Sequence, residues 1–226
     1  MRETFHLDLQ QILDDLVSLT SMAQAAIARA TGALVAADVQ LAETVIADDV
    51  LIDALREQID TKAVDLLARQ APVATDLRII VTAMRISAEV ERMGDLARHI
   101  AAVARARYPE HVVPADITEV FAAMGAAAEE ICQAAAEALR SLDGEAAARI
   151  ERLDDTLDAQ QLDLAERVVQ EDWPHSMQAA VDTTLVSRFY ERFGDHAVTI
   201  ARRVKYLVTG EPASLGPMPD RTPGLS

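Results

Sequence analysis

The segment Glu91-Arg92-Met93-Gly94-Asp95-Leu96-Ala97 returns one hundred residues later as Glu191-Arg192-Phe193-Gly194-Asp195-His196-Ala197, and Ile100-Ala101 reappears as Ile200-Ala201. Over residues 91–101 and 191–201, seven of eleven positions are identical, among them Glu, Arg, Gly and Asp. Core packing preserves apolar character rather than particular polar residues. A polar signature repeated at a fixed interval therefore points to a duplicated chain with a duplicated site.

Two pairs of acids extend the duplication. Asp49 and Asp53 precede the first signature, and Asp154 and Asp158 precede the second. If each pair and its signature lie on antiparallel helices joined by a short turn, residues equidistant from the turn share a level. Asp49/Asp95 and Asp53/Glu91 have the same midpoint, position 72, which is Pro72. Asp154/Asp195 and Asp158/Glu191 share the midpoint 174.5, beside Pro174. Proline cannot continue a helix interior and marks a boundary. The arithmetic places four carboxylates at one level of a helical hairpin, twice.

Apolar spacing supplies the helices. Phe5, Leu9, Ile12, Leu16, Leu19, Ala23, Ala26 and Ala30 recur in alternating steps of four and three, the stripe of a long amphipathic helix. Its taper from large residues to Ala predicts closer helix approach at the far end. Asp38 suits the N-cap of a second helix running to about Arg69, and a third runs from about Thr75 to Arg107. Pro109 and Pro114 bracket the boundary between repeats. A fourth helix is expected from about Ala115 to Leu142. Asp143 caps a fifth that runs to about Asp172, and the sixth carries the second signature to about Val208. No strand-like alternation stands out. The expected fold is all-α: two tandem, pseudo-symmetric three-helix bundles over residues 1–110 and 111–210. A disordered proline-rich tail is expected over residues 211–226.

Composition narrows the function. The chain has 226 residues, half of them apolar, and a net charge of −16. That charge repels nucleic acid, whose binding shows as basic patches. It also disfavours a direct phosphate site unless a metal supplies positive charge. The single Cys132 excludes an internal disulfide and a cysteine-based zinc motif; it reads as a small core hydrophobe. No run approaches the length of a membrane span, and the start has no apolar signal region, so a cytoplasmic protein is expected.

Glu91 and Asp95, like Asp49 and Asp53, are one helical turn apart and face the same way. Like charges so placed cost about 0.2–0.5 kcal/mol per pair. Either the clusters stay solvated and apart, or protons or a cation compensate them. Oxygen-only donors suit hard cations such as magnesium, calcium, manganese or iron. A mid-helix glycine costs about 1 kcal/mol against alanine, so Gly94 and Gly194 point to close backbone approach. Arg92 and Arg192 sit one step round the helix and are expected to stand aside from the clusters, as surface ion pairs or partner contacts. His99 and His196 stand at different offsets from the signatures and are not convincing ligands. Glu3-Thr4-Phe5-His6 is a lone Glu-x-x-His, where a ferritin-like dimetal enzyme needs two. No nucleophile elbow, phosphate-binding loop or dinucleotide fingerprint is present.

These residues resemble the PhoU family, accessory regulators of high-affinity phosphate transport. The resemblance rests on the paired Glu-Arg-x-Gly-Asp signature, on Pro72-Val73-Ala74-Thr75-Asp76-Leu77-Arg78, and on the Asp-x-x-x-Asp pair in each second helix. It covers roughly residues 1–208. It implies a cytoplasmic, often homodimeric protein that represses the phosphate-starvation response. The implied partners are the ATPase subunit of a phosphate ABC importer and a membrane sensor histidine kinase. It also implies multinuclear metal sites of iron or zinc, mapping onto Asp49, Asp53, Glu91 and Asp95 and onto Asp154, Asp158, Glu191 and Asp195. Manganese or magnesium would suit the same oxygen donors. The second half departs from the first: no Asp-Leu-Arg follows Pro174, and Phe189 replaces Glu89. The reading is a non-enzymatic signalling adaptor that binds no nucleic acid and does not insert in a membrane. A dimetal carboxylate enzyme and a metal-free helical scaffold are the alternatives.

Overall fold

A computed structural model describes residues 2–70, 72–141 and 144–210. They form six helices: α1 (Arg2–Ala36), α2 (Val39–Gln70), α3 (Ala74–Arg107), α4 (Thr118–Ser141), α5 (Gly144–Val168) and α6 (Met177–Thr209). No strand occurs among them. The eight-residue stripe of α1 is buried along its whole length, from Phe5 to Ala30. Its taper has the expected consequence. Near the alanine end, Thr31 packs so close to Gly125 of α4 that a β-carbon there would collide with the threonine side chain.

The helix boundaries follow local chemistry. Asp38 caps α2, its Oδ1 accepting from the backbone N–H groups of Gln40 and Leu41, each at 3.0 Å. Ser176 caps α6 by accepting from Ala179 N at 3.1 Å. Helix α4 begins at Thr118 rather than near Ala115, because residues Pro114–Ile117 close a turn first. Helix α5 ends at Val168, not at Asp172. Turns at Gln170 and Trp173, bonded back to Arg167 and Gln170, complete the approach to Pro174. The expected cap Asp143, the last residue of the expected fourth helix, Leu142, and the expected tail over residues 211–226 lie outside the described residues.

Helices α1–α3 pack on one another, as do α4–α6. The halves join where α1 meets α4 and α3 meets α6; α2 and α5 pack only within their own halves. The buried side chains form one continuous core through both. Cys132, Met93 and Met124 lie inside it as apolar filling, with Met84 packed at its edge.

Helices α3 and α6 run antiparallel. Arg78 stacks over the Tyr206 ring with 5.4 Å to its centre. Glu89 meets His196 and Arg203, the His99 ring lies 5.4 Å from Phe189, and Arg107 pairs with buried Asp182 at 2.6 Å. These contacts bring the two signatures side by side at the middle of the molecule, one facing α2 and the other α5.

Candidate functional site: two carboxylate clusters

Asp49 and Asp53 lie one turn apart on α2, and Glu91 and Asp95 one turn apart on α3. The helix pairing set by Pro72 brings them together. Asp49 feels the charges of both Asp53 and Asp95, and Glu91 those of Asp95 and Asp53. Gly94 makes this possible: a β-carbon there would stand 2.8 Å from Ile52 Cδ1 and 3.7 Å from Asp49 Oδ1. Burial, reinforced by the neighbouring acids, raises the Asp49 and Glu91 carboxyls above their usual range.

The second half repeats the relationship. A β-carbon at Gly194 would strike the Asp154 carboxylate and touch Leu157. Asp154 therefore faces the second signature as Asp49 faces the first, and Asp158 follows one turn along α5. Glu191 is buried, 9% exposed. Burial raises its carboxyl, and the charge of Asp195 adds to the effect. Arg188, one turn back on the same helix, pairs with one of its oxygens. The other, Oε2, is buried without a hydrogen-bond donor.

The spacing argument did not find Arg98. Its Nε stands 2.7 Å from Asp49 Oδ2, and its Nη2 donates to Asp95 Oδ1 at 2.9 Å, so the guanidinium joins α2 to α3. The duplication carried the signal: the corresponding residue of the second half is Val198, and Arg98 stands three residues, about one turn, after Asp95. Arg92 forms the expected surface ion pairs, but with the cluster acids themselves. Its side chain curls back to Glu91 at 3.5 Å and Asp95 at 3.2 Å, while remaining 62% exposed. His196 is engaged with Glu89, and His99 lies against Phe189.

Neither cluster is a preformed cage: among the described residues, no three carboxylate, imidazole or thiolate groups converge to hold an ion. The donor chemistry still differs between halves. In the first, a guanidinium already spans the central pair of acids. In the second, the open space at Gly194 receives a carboxylate, and Glu191 offers a buried oxygen that no donor satisfies. Carboxylate oxygens are the donor type hard cations take, but the described residues do not gather them into a site.

Two openings lie nearby. A cleft of about 180 Å³ between α1 and α2 is lined by Met22, Arg29, Asp48, Asp49 and Gly94. A broader, shallower groove of about 660 Å³ lies between α4 and α5, away from the signature helices, with Val120, Ala123 and Ala159 below Glu119, Asp155 and Asp163. Among the described residues no helix is long and apolar enough to cross a membrane.

Fold and site define a duplicated six-helix protein with an acidic signature facing each outer helix. Comparison with known proteins gives this class its family. The PhoU domain model matches twice, over residues 16–104 and 121–204. The phosphate-specific transport system accessory protein PhoU homolog 2 of Mycobacterium tuberculosis is 45% identical over 210 residues, covering 93% of this chain and 99% of its own. The PhoU homolog 1 of Mycobacterium leprae is 43% identical over 224 residues, covering 99% of each chain. The crystal structure of PhoU from Pseudomonas aeruginosa superposes with a TM-score of 0.83 at 30% identity, over 92% of this chain and all of that one. The chain belongs to the PhoU family. The phosphate transport system regulatory protein PhoU from Streptococcus pneumoniae has the same fold, with a TM-score of 0.83 at 24% identity over 92% of this chain and 98% of that one. The mycobacterial relatives are named as accessory proteins, not as enzymes.

Proposed function

We propose that this chain is a non-enzymatic accessory protein of phosphate transport that links the state of a phosphate ABC importer to a sensor histidine kinase. In this reading it damps phosphate-starvation gene expression when phosphate is ample. The observation that carries the reading is the end-to-end match to accessory proteins named for the phosphate-specific transport system. The architecture supports it: long helices offer extended faces for protein partners. The importer's ATPase subunit and the kinase are the proposed partners, the cytoplasm the proposed site of action, and a homodimer the proposed state. With a net charge of −16, direct regulation by binding DNA is disfavoured, so the signal passes through protein contacts.

The same reading includes metal. A divalent or transition ion (iron, zinc, manganese or magnesium) would be held by carboxylates of Asp49, Asp53, Glu91 and Asp95, or of Asp154, Asp158, Glu191 and Asp195. It would supply positive charge that offsets their repulsion and ties the second helix of a half to its third. The protein's part is to present these acids at one level, which the glycine approach and the proline turns accomplish.

The test is co-purification of the tagged chain with the importer ATPase and the sensor kinase from cells grown in ample phosphate, with metal analysis of the same sample. Both partners are expected in the eluate. Recovery of neither, from cells that express both, would contradict the adaptor reading.

A further inference from the structure

We propose that the groove between α4 and α5 is a docking site for a basic amphipathic helix of a protein partner. This rests on the adaptor reading for there being a protein partner, and adds the face and the chemistry that it meets.

The two halves can be laid over one another helix by helix. The buried residues Leu16, Leu19 and Ala23 of α1 recur at a fixed interval as the buried Phe121, Met124 and Ala128 of α4. Asp49 and Asp53 of α2 recur at the same interval as Asp154 and Asp158 of α5. In the first half, two ion pairs cross between α1 and α2: Lys62 reaches Asp15 at 2.5 Å, and Arg29 reaches Asp48 at 2.6 Å. At that interval the first pair becomes Arg167 and Val120, and the second becomes Ala134 and Leu153. Arg167 has lost its acid across the groove and pairs with Asp163 of its own helix at 2.8 Å. Among the described residues, α5 reaches an acid of α4 through Arg149, which meets Glu130 and Glu137; neither lines the groove.

The groove left by these changes is apolar below and acidic around. Val120, Ala123 and Ala159 form its floor, with Glu119 on the α4 side and Asp155 and Asp163 on the α5 side. Glu119 and Asp155 are exposed, and neither forms an ion pair among the described residues. Gln160, also in the lining, keeps a buried side-chain oxygen without a donor. A helix laid here sets aliphatic side chains on the floor and Lys or Arg against both rims, the helix-in-groove mode of recognition. Charge selects this occupant. A rim of carboxylates repels nucleic acid and anionic lipid. A second copy meeting through the same groove would set these acids against themselves. A basic segment supplies from outside the cations that the first half supplies from within.

The test uses a fluorescently labelled amphipathic helical peptide of leucine and lysine, read by anisotropy against the full chain at physiological salt. Its comparisons are the same composition in scrambled order and the leucine–glutamate version. Wild type is expected to bind the leucine–lysine helix, the scrambled peptide more weakly, and the glutamate version not at all. Glu119→Gln/Asp155→Asn removes rim charges and Ala123→Trp fills the floor; each should weaken binding about tenfold or more. Glu43→Gln/Glu57→Gln, which makes the same charge change on exposed positions of α2, should leave binding unchanged. Ala123 and Ala159 are both exposed, so Ala159→Lys serves as a second block that also supplies a resident cation. Thermal melts identify the blocks that fold as wild type does. If the groove variants bind the peptide like wild type, or the α2 control loses as much, the attraction is diffuse and the groove assignment is wrong. If Ala123→Trp instead dissolves a dimer in sedimentation, with peptide binding unmoved, the occupant is a second copy and the proposal is again wrong. The peptide results bear on the groove alone, while the adaptor reading stands or falls on the co-purification described above.

Discussion

Glu89 of α3 accepts a hydrogen bond from Arg203 of α6 at 2.9 Å, and the same carboxylate meets His196 at 2.9 Å. One acid of the first half thus takes up two basic groups of the second, at a position where the second half has Phe189. Burial alone would raise the Glu89 carboxyl. The hydrogen bonds and charges of His196 and Arg203 outweigh it and hold the group below its ordinary value of 4.5. Because the folded value is the lower one, the stabilisation is present above about 4.5 and is lost as pH falls through the folded value. Glu89→Gln should cost about 1.5–3 kcal/mol at neutral pH, the scale of hydrogen bonds to charged groups. Denaturant melts from pH 7 downward check this: the gap between variant and wild type should narrow below pH 4.5. A constant gap would mean that the carboxylate charge is not what joins the halves there.

Thr31 and Tyr190 share a buried hydrogen bond of 2.8 Å at the junction of α1, α4 and α6. Gly125 leaves room for the threonine, whose side chain a β-carbon would overlap. Gly125→Ala is expected to destabilise by about 1–3 kcal/mol through overpacking. Thr31→Ala should cost a similar amount by leaving the tyrosine hydroxyl without its partner, about 1–3 kcal/mol. Removing most of the overlap together with the hydroxyl makes the double variant less destabilised than the sum, measured by a double-mutant cycle. Full additivity would show that the glycine does not serve this contact.

Gly94→Ala brings a methyl group against the end of Ile52. It is expected to destabilise by about 1–3 kcal/mol. Ile52→Val trims the atom in the way, so the double variant should recover part of the loss. Chemical denaturation of the three variants reads the effect directly, and a Gly94→Ala protein as stable as wild type would remove the close-approach explanation of the signature glycine.

The net charge of −16 predicts no tight, sequence-specific DNA binding at physiological salt. A gel shift with DNA from phosphate-responsive promoters is expected to show no complex. A specific complex would replace the adaptor reading with direct transcriptional control.

Much of the architecture was legible because it rests on period and punctuation. The stripe from Phe5 to Ala30 fixed one face of α1, Asp38 marked a cap, and the midpoint at Pro72 foretold which acids of the first half meet, while that at Pro174 foretold the level at which Asp154 reaches Gly194. The errors fell where short turns replace helix ends. Nothing in the apolar pattern separates the residues before Thr118 or after Val168 from a continuing helix, and only the closing of local backbone bonds decides it. The sites were legible as sets of acids, but the arginines that pair with them were not. Arg98 reaches across to Asp49 along a long flexible side chain, and Arg92 curls back along its own helix; residue spacing does not fix either choice. The bond from Glu89 to Arg203 depends on how the halves pack, which repeat symmetry alone did not specify.

The central claim is that the chain restrains the response to phosphate starvation through protein contacts. It is tested most directly by a phosphate-responsive reporter in cells that lack the chain, grown in ample phosphate. The account predicts that the reporter turns on without the chain and that restoring the chain silences it again. A reporter that stays silent in ample phosphate without the chain, and responds normally when phosphate runs out, would contradict the account.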